Sequence, residues 1–227
     1  MNSMDNKNTQ HHNAILEGIN TLCKIYWGPD LETCRKVSEK KIFKPFEIIL
    51  SDHRFYNNAA HKTSTLDLLS QMASIPDLFE TAETLYSHLD ECYISLFVSN
   101  KTGIIPLYQS CYEFENAPMM GPSAQQMAER LKEKGLSLEN NLNEPPDHLA
   151  IELEFLFFLL QEESKSQYEE GGRIFSKEAG LFTSDNLLPW VTEFCRRLES
   201  VSSDCRFYLL ATKMLVFLLE IIGKNQI

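Results

Sequence analysis

The sequence predicts an all-α fold, a single-domain helical bundle of about eight to ten helices, on three observations. Apolar residues recur every three or four positions in several windows. No alternating run is long enough to make a substantial strand. The longest apolar run, Leu149 to Leu160, exceeds the usual length of a strand and is rich in helix-compatible Leu, Phe and Glu. With 227 residues, 43% hydrophobic and 23% charged, the chain can bury one large core. The polar residues 1–13 are expected to be disordered, 14–223 to form the domain, and 224–227 to be a tail.

The elements follow in order. Ile15, Ile19, Leu22, Cys23 and Tyr26 share a helical stripe that Gly28-Pro29 halts. Asp30 is placed to cap a second helix carrying Leu31, Cys34 and Val37 inward. The stretch from Phe43 to Ala60 is less periodic, with a short helix expected at Phe46 to Leu50. Pro76-Asp77 suits a helix N-terminus, and Leu78, Ala82, Leu85, Tyr86, Leu89, Tyr93, Leu96 and Phe97 then repeat at helical spacing over twenty positions. A loop, SNKTGI, precedes Pro106 to Tyr112. A helix from about Pro122 to Lys134 closes on Gly135. The run from Leu149 to Leu160 is expected to be the central helix, surrounded by others, with Glu152 and Glu154 leaving it on roughly opposite sides. Helices from about Leu187 to Leu198 and Asp204 to Ile222 complete the chain.

A formal charge of −11 repels phosphate backbones and anionic membrane surfaces, so nucleic acid is not an expected partner, whereas a basic peptide would be attracted. The six cysteines have no Cys-x-x-Cys spacing, which argues against a structural zinc site, and no metal is expected. The polar first fourteen residues lack the apolar stretch of an export signal, so a cytoplasmic protein with reduced thiols is expected. Lys213 and Glu220 interrupt the last apolar segment, so stable membrane insertion is not expected.

Walker, Gly-x-Gly-x-x-Gly, His-Glu-x-x-His and Gly-x-Ser-x-Gly patterns are absent. What stands out is Glu144-Pro145-Pro146-Asp147-His148 at the start of the long apolar helix. Pro145 and Pro146 stiffen the approach, and Asp147 complements the positive end of the helix dipole. One reading is a helix start with a convenient cap. The other is a rigid acidic rim for an incoming arginine. Tyr93, Phe97, Tyr108, Tyr112 and Phe114 form an aromatic group that is either core or the wall of a groove. Facing Asp147 and His148, such a groove would suit a basic, apolar peptide.

Three blocks resemble the TorD/DmsD/NarJ family of redox-enzyme maturation chaperones. They are Glu91-Cys92-Tyr93-Ile94-Ser95-Leu96-Phe97; Pro106-Leu107-Tyr108-Gln109-Ser110-Cys111-Tyr112 with Met119-Met120-Gly121; and Glu144-Pro145-Pro146-Asp147-His148 running into Glu152-Leu153-Glu154-Phe155. Leu187-Leu188-Pro189-Trp190 and Phe207-Tyr208 are a weaker echo. Cys92 between acid and tyrosine, and Gln109 where many relatives carry Glu, depart from the pattern. The resemblance implies an all-α chaperone, not an enzyme, that binds the apo catalytic subunit of a molybdenum oxidoreductase, often through its twin-arginine signal peptide, until cofactor insertion. It implies that Glu144, Asp147 and His148 contact or orient the basic part, that Tyr93, Phe97, Tyr108 and Tyr112 shape the apolar surface, and that Glu152 belongs to the same site. Guanine nucleotide or molybdopterin guanine dinucleotide association is implied by the resemblance alone, and no cofactor is expected from the residues. The chain would be a monomer or a homodimer. Three alternatives remain: a client without paired arginines, a nucleotide hydrolase using Asp147 and His148, and a helical scaffold without a pocket.

Overall fold

Burial decides where the helices begin and end. The computed structural model describes residues 3–56, 59–98, 105–138, 144–166, 177–201 and 205–224. Helix α1 (Ser3–Tyr26) starts well before Ile15, with His11 and His12 both buried. The expected disorder of residues 1–13 is therefore corrected from Ser3 onward. His11 is anchored 3.3 Å from the Asp52 carboxylate and edge-on to Phe55, so a polar sequence is held against the bundle.

Asp30 caps α2 (Leu31–Ser38) by accepting the Thr33 N–H at 2.9 Å, and Cys34 and Val37 point inward as the pattern predicts. A 3-10 turn (Lys41–Phe43) leads into α3 (Lys44–Leu50), whose Phe46, Ile49 and Leu50 are buried. Helix α4 (Ala59–Ser74) was not anticipated, because its apolar residues make no clean stripe; Leu69 and Met72 are buried while Leu66 is exposed.

The single helix expected from Pro76 to Phe97 is broken. Ile75–Leu78 is a 3-10 turn, Phe79 is extended (φ −122°, ψ 137°), and α5 (Ala82–Tyr93) starts under a reciprocal Thr81/Thr84 cap. Leu78 consequently faces solvent, 78% exposed. A π-helical turn (Ile94–Val98) extends α5. The SNKTGI loop lies outside the described residues. A 3-10 turn (Gln109–Tyr112) precedes α6 (Pro122–Glu133), which ends as predicted at Gly135 (φ +68°), with the Leu136 N–H reaching the Leu131 carbonyl at 2.8 Å. There follow α7 (Leu149–Ser166), α8 (Lys177–Phe182), a π-helical turn (Thr183–Leu187), α9 (Leu188–Ser200) and α10 (Arg206–Lys224).

The chain is an all-α single-domain bundle, with no strand among the described residues. Helix α10 occupies its centre, packed on α1, α4, α8 and α9, whereas α7 lies against α1 and α8 and turns Glu154, Gln161 and Glu162 to solvent. The central position expected for α7 thus belongs to α10, whose apolar residues from Phe207 to Ile222 are buried on nearly every turn. Thr212 donates to the Tyr208 carbonyl at 2.7 Å, so the 2.6 Å contact between the Tyr26 and Thr212 hydroxyls has Tyr26 as donor. Tyr208 in turn donates to the Leu89 carbonyl at 3.1 Å, fastening α10 to α5. No helix among the described residues is long and apolar enough to cross a membrane.

The cysteines also depart from expectation. Cys23, Cys34, Cys111 and Cys195 are buried thiols, but Cys92 and Cys205 are joined as a disulfide with Cα atoms 5.3 Å apart. Folding brings the end of α5 beside the start of α10 across a separation of 113 residues, which no local spacing could reveal.

Candidate functional site

The Glu-Pro-Pro-Asp-His segment is clasped to the Tyr108 strand-like segment before it becomes α7. Tyr108 and His148 form an isolated antiparallel bridge, in which Leu149 N–H donates to the Leu107 carbonyl (2.8 Å) and Gln109 N–H to the Asp147 carbonyl (3.0 Å). Asp147 Oδ2 then accepts the Ser110 N–H at 2.7 Å. The carboxylate is 0% exposed, so Asp147 secures the clasp from within instead of forming an open rim.

His148 is 4% exposed, its ring between two others: Trp27 stacks on it at 5.1 Å and 14°, and Tyr108 meets it edge-on at 5.3 Å. Its Nδ1 accepts the Ala150 N–H at 3.2 Å, which leaves the proton on Nε2. Burial pushes the imidazole down to about 4 although Glu144 and Asp147 pull it upward, so it is neutral at pH 7. A neutral, clamped imidazole whose acidic neighbour is directed to Ser110 is poorly arranged as an acid/base pair.

Above this base the surface opens. Tyr108 donates to Glu144 Oε2 at 2.7 Å, and the half-buried Glu144 remains accessible. Burial and that carboxylate both raise the Tyr108 phenol, and burial followed by Glu144 pushes Tyr93 up to about 12, so both rings stay neutral donors. Trp27, immediately after α1, donates its indole N–H to Glu154 Oε1 at 2.8 Å. Gly28 follows at φ +106°, a conformation that favours glycine, and lets the Tyr93 ring approach the turn while its hydroxyl donates to the Tyr26 carbonyl at 3.1 Å. Beside them runs a groove of about 560 Å³, walled by Trp27, Tyr93, Ile94 and Val98, with Asp30, Asp90 and Lys24 at its edge. Ile94 and Val98 are exposed apolar residues presented by the π-helical turn.

Of the residues singled out from sequence, Tyr93, Tyr108, Glu144 and His148 come together, with Pro145 and Pro146 half-buried alongside and Asp147 beneath. Phe97 does not line the groove: it packs among Tyr93, Phe194 and Tyr208 in the core. Tyr112 belongs to another cluster, with Trp190 beside it and the Arg197 guanidinium 4.1 Å over its ring, and its hydroxyl donates to the Pro106 carbonyl. Glu152 is 0% exposed, its Oε2 accepting the Trp190 indole N–H at 2.9 Å. Trp27 and Glu154 were missed. Trp27 falls beyond the apolar stripe of α1, and only an aromatic immediately before Gly-Pro could have drawn attention to it.

The family model described as nitrate reductase delta subunit matches residues 59–196. A "Chaperone protein TorD" from Photobacterium profundum is 30% identical over 138 residues, which are 60% of this chain and 63% of the relative. The namesake from Aliivibrio salmonicida is 26% identical over 87% of this chain and 91% of its own, and one from Vibrio cholerae (El Tor Inaba N16961) is 29% identical over 77% and 78%. A solved structure from Archaeoglobus fulgidus aligns over 92% of this chain and 93% of its own at 22% identity, with a TM-score of 0.47.

Proposed function

Since the chain belongs to the nitrate reductase delta subunit family, we propose that it is a cytoplasmic maturation chaperone, a binding protein without turnover, which holds the apo catalytic subunit of a molybdenum oxidoreductase by its N-terminal signal peptide until the cofactor is inserted. The relatives named as TorD chaperones support this reading. The observation that carries it is the groove of Trp27, Tyr93, Ile94 and Val98, whose Tyr93 phenol feels the charge of the half-buried Glu144 carboxylate that Tyr108 holds. Apolar walls take the hydrophobic stretch of a signal peptide, and the carboxylate takes an arginine fork. Asp147 and His148 act as positioning residues, the first through Ser110 and the second by supporting Trp27 and Tyr108.

The test is a titration of the full chain with a synthetic twin-arginine signal peptide, followed by Trp27 fluorescence and calorimetry, beside a peptide with both arginines changed to lysine. Lysine cannot reproduce the planar guanidinium fork, so affinity should fall by about tenfold or more, the worth of one charge-assisted hydrogen bond. Equal affinity for the two peptides would reject arginine recognition, and no affinity for either would reject the groove as a peptide site.

A further inference from the structure

The wall of the groove is tethered covalently from behind. Cys92, buried in the last turn of α5, immediately precedes Tyr93, and its partner Cys205 immediately precedes α10. One turn earlier on α5, His88 places Nε2 3.7 Å from Cys92 Sγ. A cavity of about 150 Å³ opens alongside, lined by Leu78, Phe79, His88, Arg206 and Phe207. Cys205 is half-buried, whereas Cys92 is sheltered, so an incoming sulfur reaches Cys205 first. At the edge of that cavity the Arg206 guanidinium donates to Gln71 Oε1 at 2.9 Å. The other cysteines are unlike this pair: burial pushes the Cys23, Cys34 and Cys195 thiols up and keeps them protonated.

We propose that Cys92–Cys205 is a reversible thiol–disulfide site, and that reduction by a small anionic thiol loosens the groove. In the forward direction the reductant's thiolate attacks Cys205 Sγ, forming a mixed disulfide and breaking the Cys92–Cys205 bond. Cys92 leaves with the bonding electron pair and is protonated from the His88 side. A second thiol attacks the mixed disulfide, releasing the oxidised reductant as its own disulfide and leaving Cys205 as a thiol. Two small thiols are thereby oxidised and one protein disulfide is reduced to two thiols. The oxidised small disulfide drives the reverse exchange.

The consequence passes through the backbone. With the bond intact, the end of α5 is pinned to the start of α10, and Tyr93, Ile94 and Val98 form one wall of the groove. With the bond broken, that wall regains freedom that a bound peptide must remove, at a cost in affinity. The coupling rests on the peptide reading above, while the disulfide itself does not.

The experiment uses the full chain equilibrated with oxidised or reduced glutathione, acid-quenched, unfolded and alkylated for mass analysis, with the twin-arginine peptide titrated in parallel. Four alkylated cysteines are expected after oxidation and six after reduction, from a total of six. Reduction should weaken the peptide by about fivefold or more, the lower range of ordinary coupling between sites. Cys92→Ala/Cys205→Ala should bind like the reduced chain and ignore reductant. Six alkylated cysteines after oxidation would overturn the site, and equal peptide affinity in both redox states would overturn its coupling to the groove. Absence of peptide binding in both states would reject the peptide reading and the coupling with it, and the alkylation count alone would then decide whether the disulfide site exists.

Discussion

Glu152 lies fully inside the bundle with one polar contact, the Trp190 indole N–H at 2.9 Å. Burial, the largest influence, raises its carboxyl well above the ordinary range; Asp147 adds to this, and the indole and Arg130 oppose it without prevailing. The fold therefore favours the protonated acid, and Glu152→Gln replaces it with a neutral isostere. The direction of the pH effect follows from linkage. In the unfolded chain the carboxyl ionises at its usual 4.5, while in the folded chain it holds its proton, so the unfolded state gains as pH rises. The contribution is complete below 4.5 and is lost as pH climbs toward the folded value. As pH rises above 4.5 the native chain should lose stability relative to the glutamine variant, at a slope on the order of 1 kcal/mol per pH unit until the folded carboxyl ionises. The extra amide N–H of glutamine adds a constant offset and leaves the slope unchanged. Urea unfolding of both proteins at several pH values and fixed ionic strength measures the difference, with other titrating groups cancelling. Parallel curves would mean that Glu152 titrates alike in both states and would refute the reasoning.

Other substitutions separate the surface of the site from its support. Glu144→Gln should weaken the signal peptide and flatten the salt dependence of its Kd, because the carboxylate is accessible to solvent and to screening ions; titration at two salt concentrations checks this. Asp147→Asn should leave that salt slope intact and lower unfolding stability by about 1–3 kcal/mol, the cost of a disturbed buried charge-assisted hydrogen bond to Ser110; denaturant melts are the measurement. Asp52 behaves oppositely to Glu152. Burial would lift its carboxyl, but Arg54 and His11 outweigh it and hold it down to about 2. Asp52 therefore stabilises the fold above its unfolded value of 3.8, and the contribution is lost as pH falls from there toward 2. Asp52→Asn should accordingly lower Tm at pH 6, with the gap closing in acid, as seen by calorimetry.

Much of the architecture was legible because it depends on short-range rules. The Asp30 cap, the Gly135 terminus and the inward residues of α2 and α10 follow from capping and period alone. Most errors arose where a distant partner decided. The polar start of α1 is ordered by Asp52 and Phe55, which nothing in its own residues announces. One error was local: the apolar period from Leu78 to Phe97 ran through an extended Phe79, although the Thr81/Thr84 pair beside it is a short-range helix-start signal. At the site, the family motif misjudged depth: Asp147 serves the backbone of Ser110, and of the two acids Glu152 and Glu154 it is Glu154 that is exposed. Trp27 and the Cys92–Cys205 pair are properties of tertiary proximity, and spacing along the chain carries no trace of either.

The clasp between Tyr108 and His148 joins two short segments by backbone hydrogen bonds across forty residues of sequence, and its footing is the first turn of α7. The position of the Tyr108–Glu144 pair is accordingly inherited from a rigid rod and not from the polypeptide that runs between them. Extra residues spliced in at the exposed turn around Asn116 should be absorbed there without displacing the pair. The span between the two motifs is thus a place where relatives of this chain can differ in length while presenting the same surface.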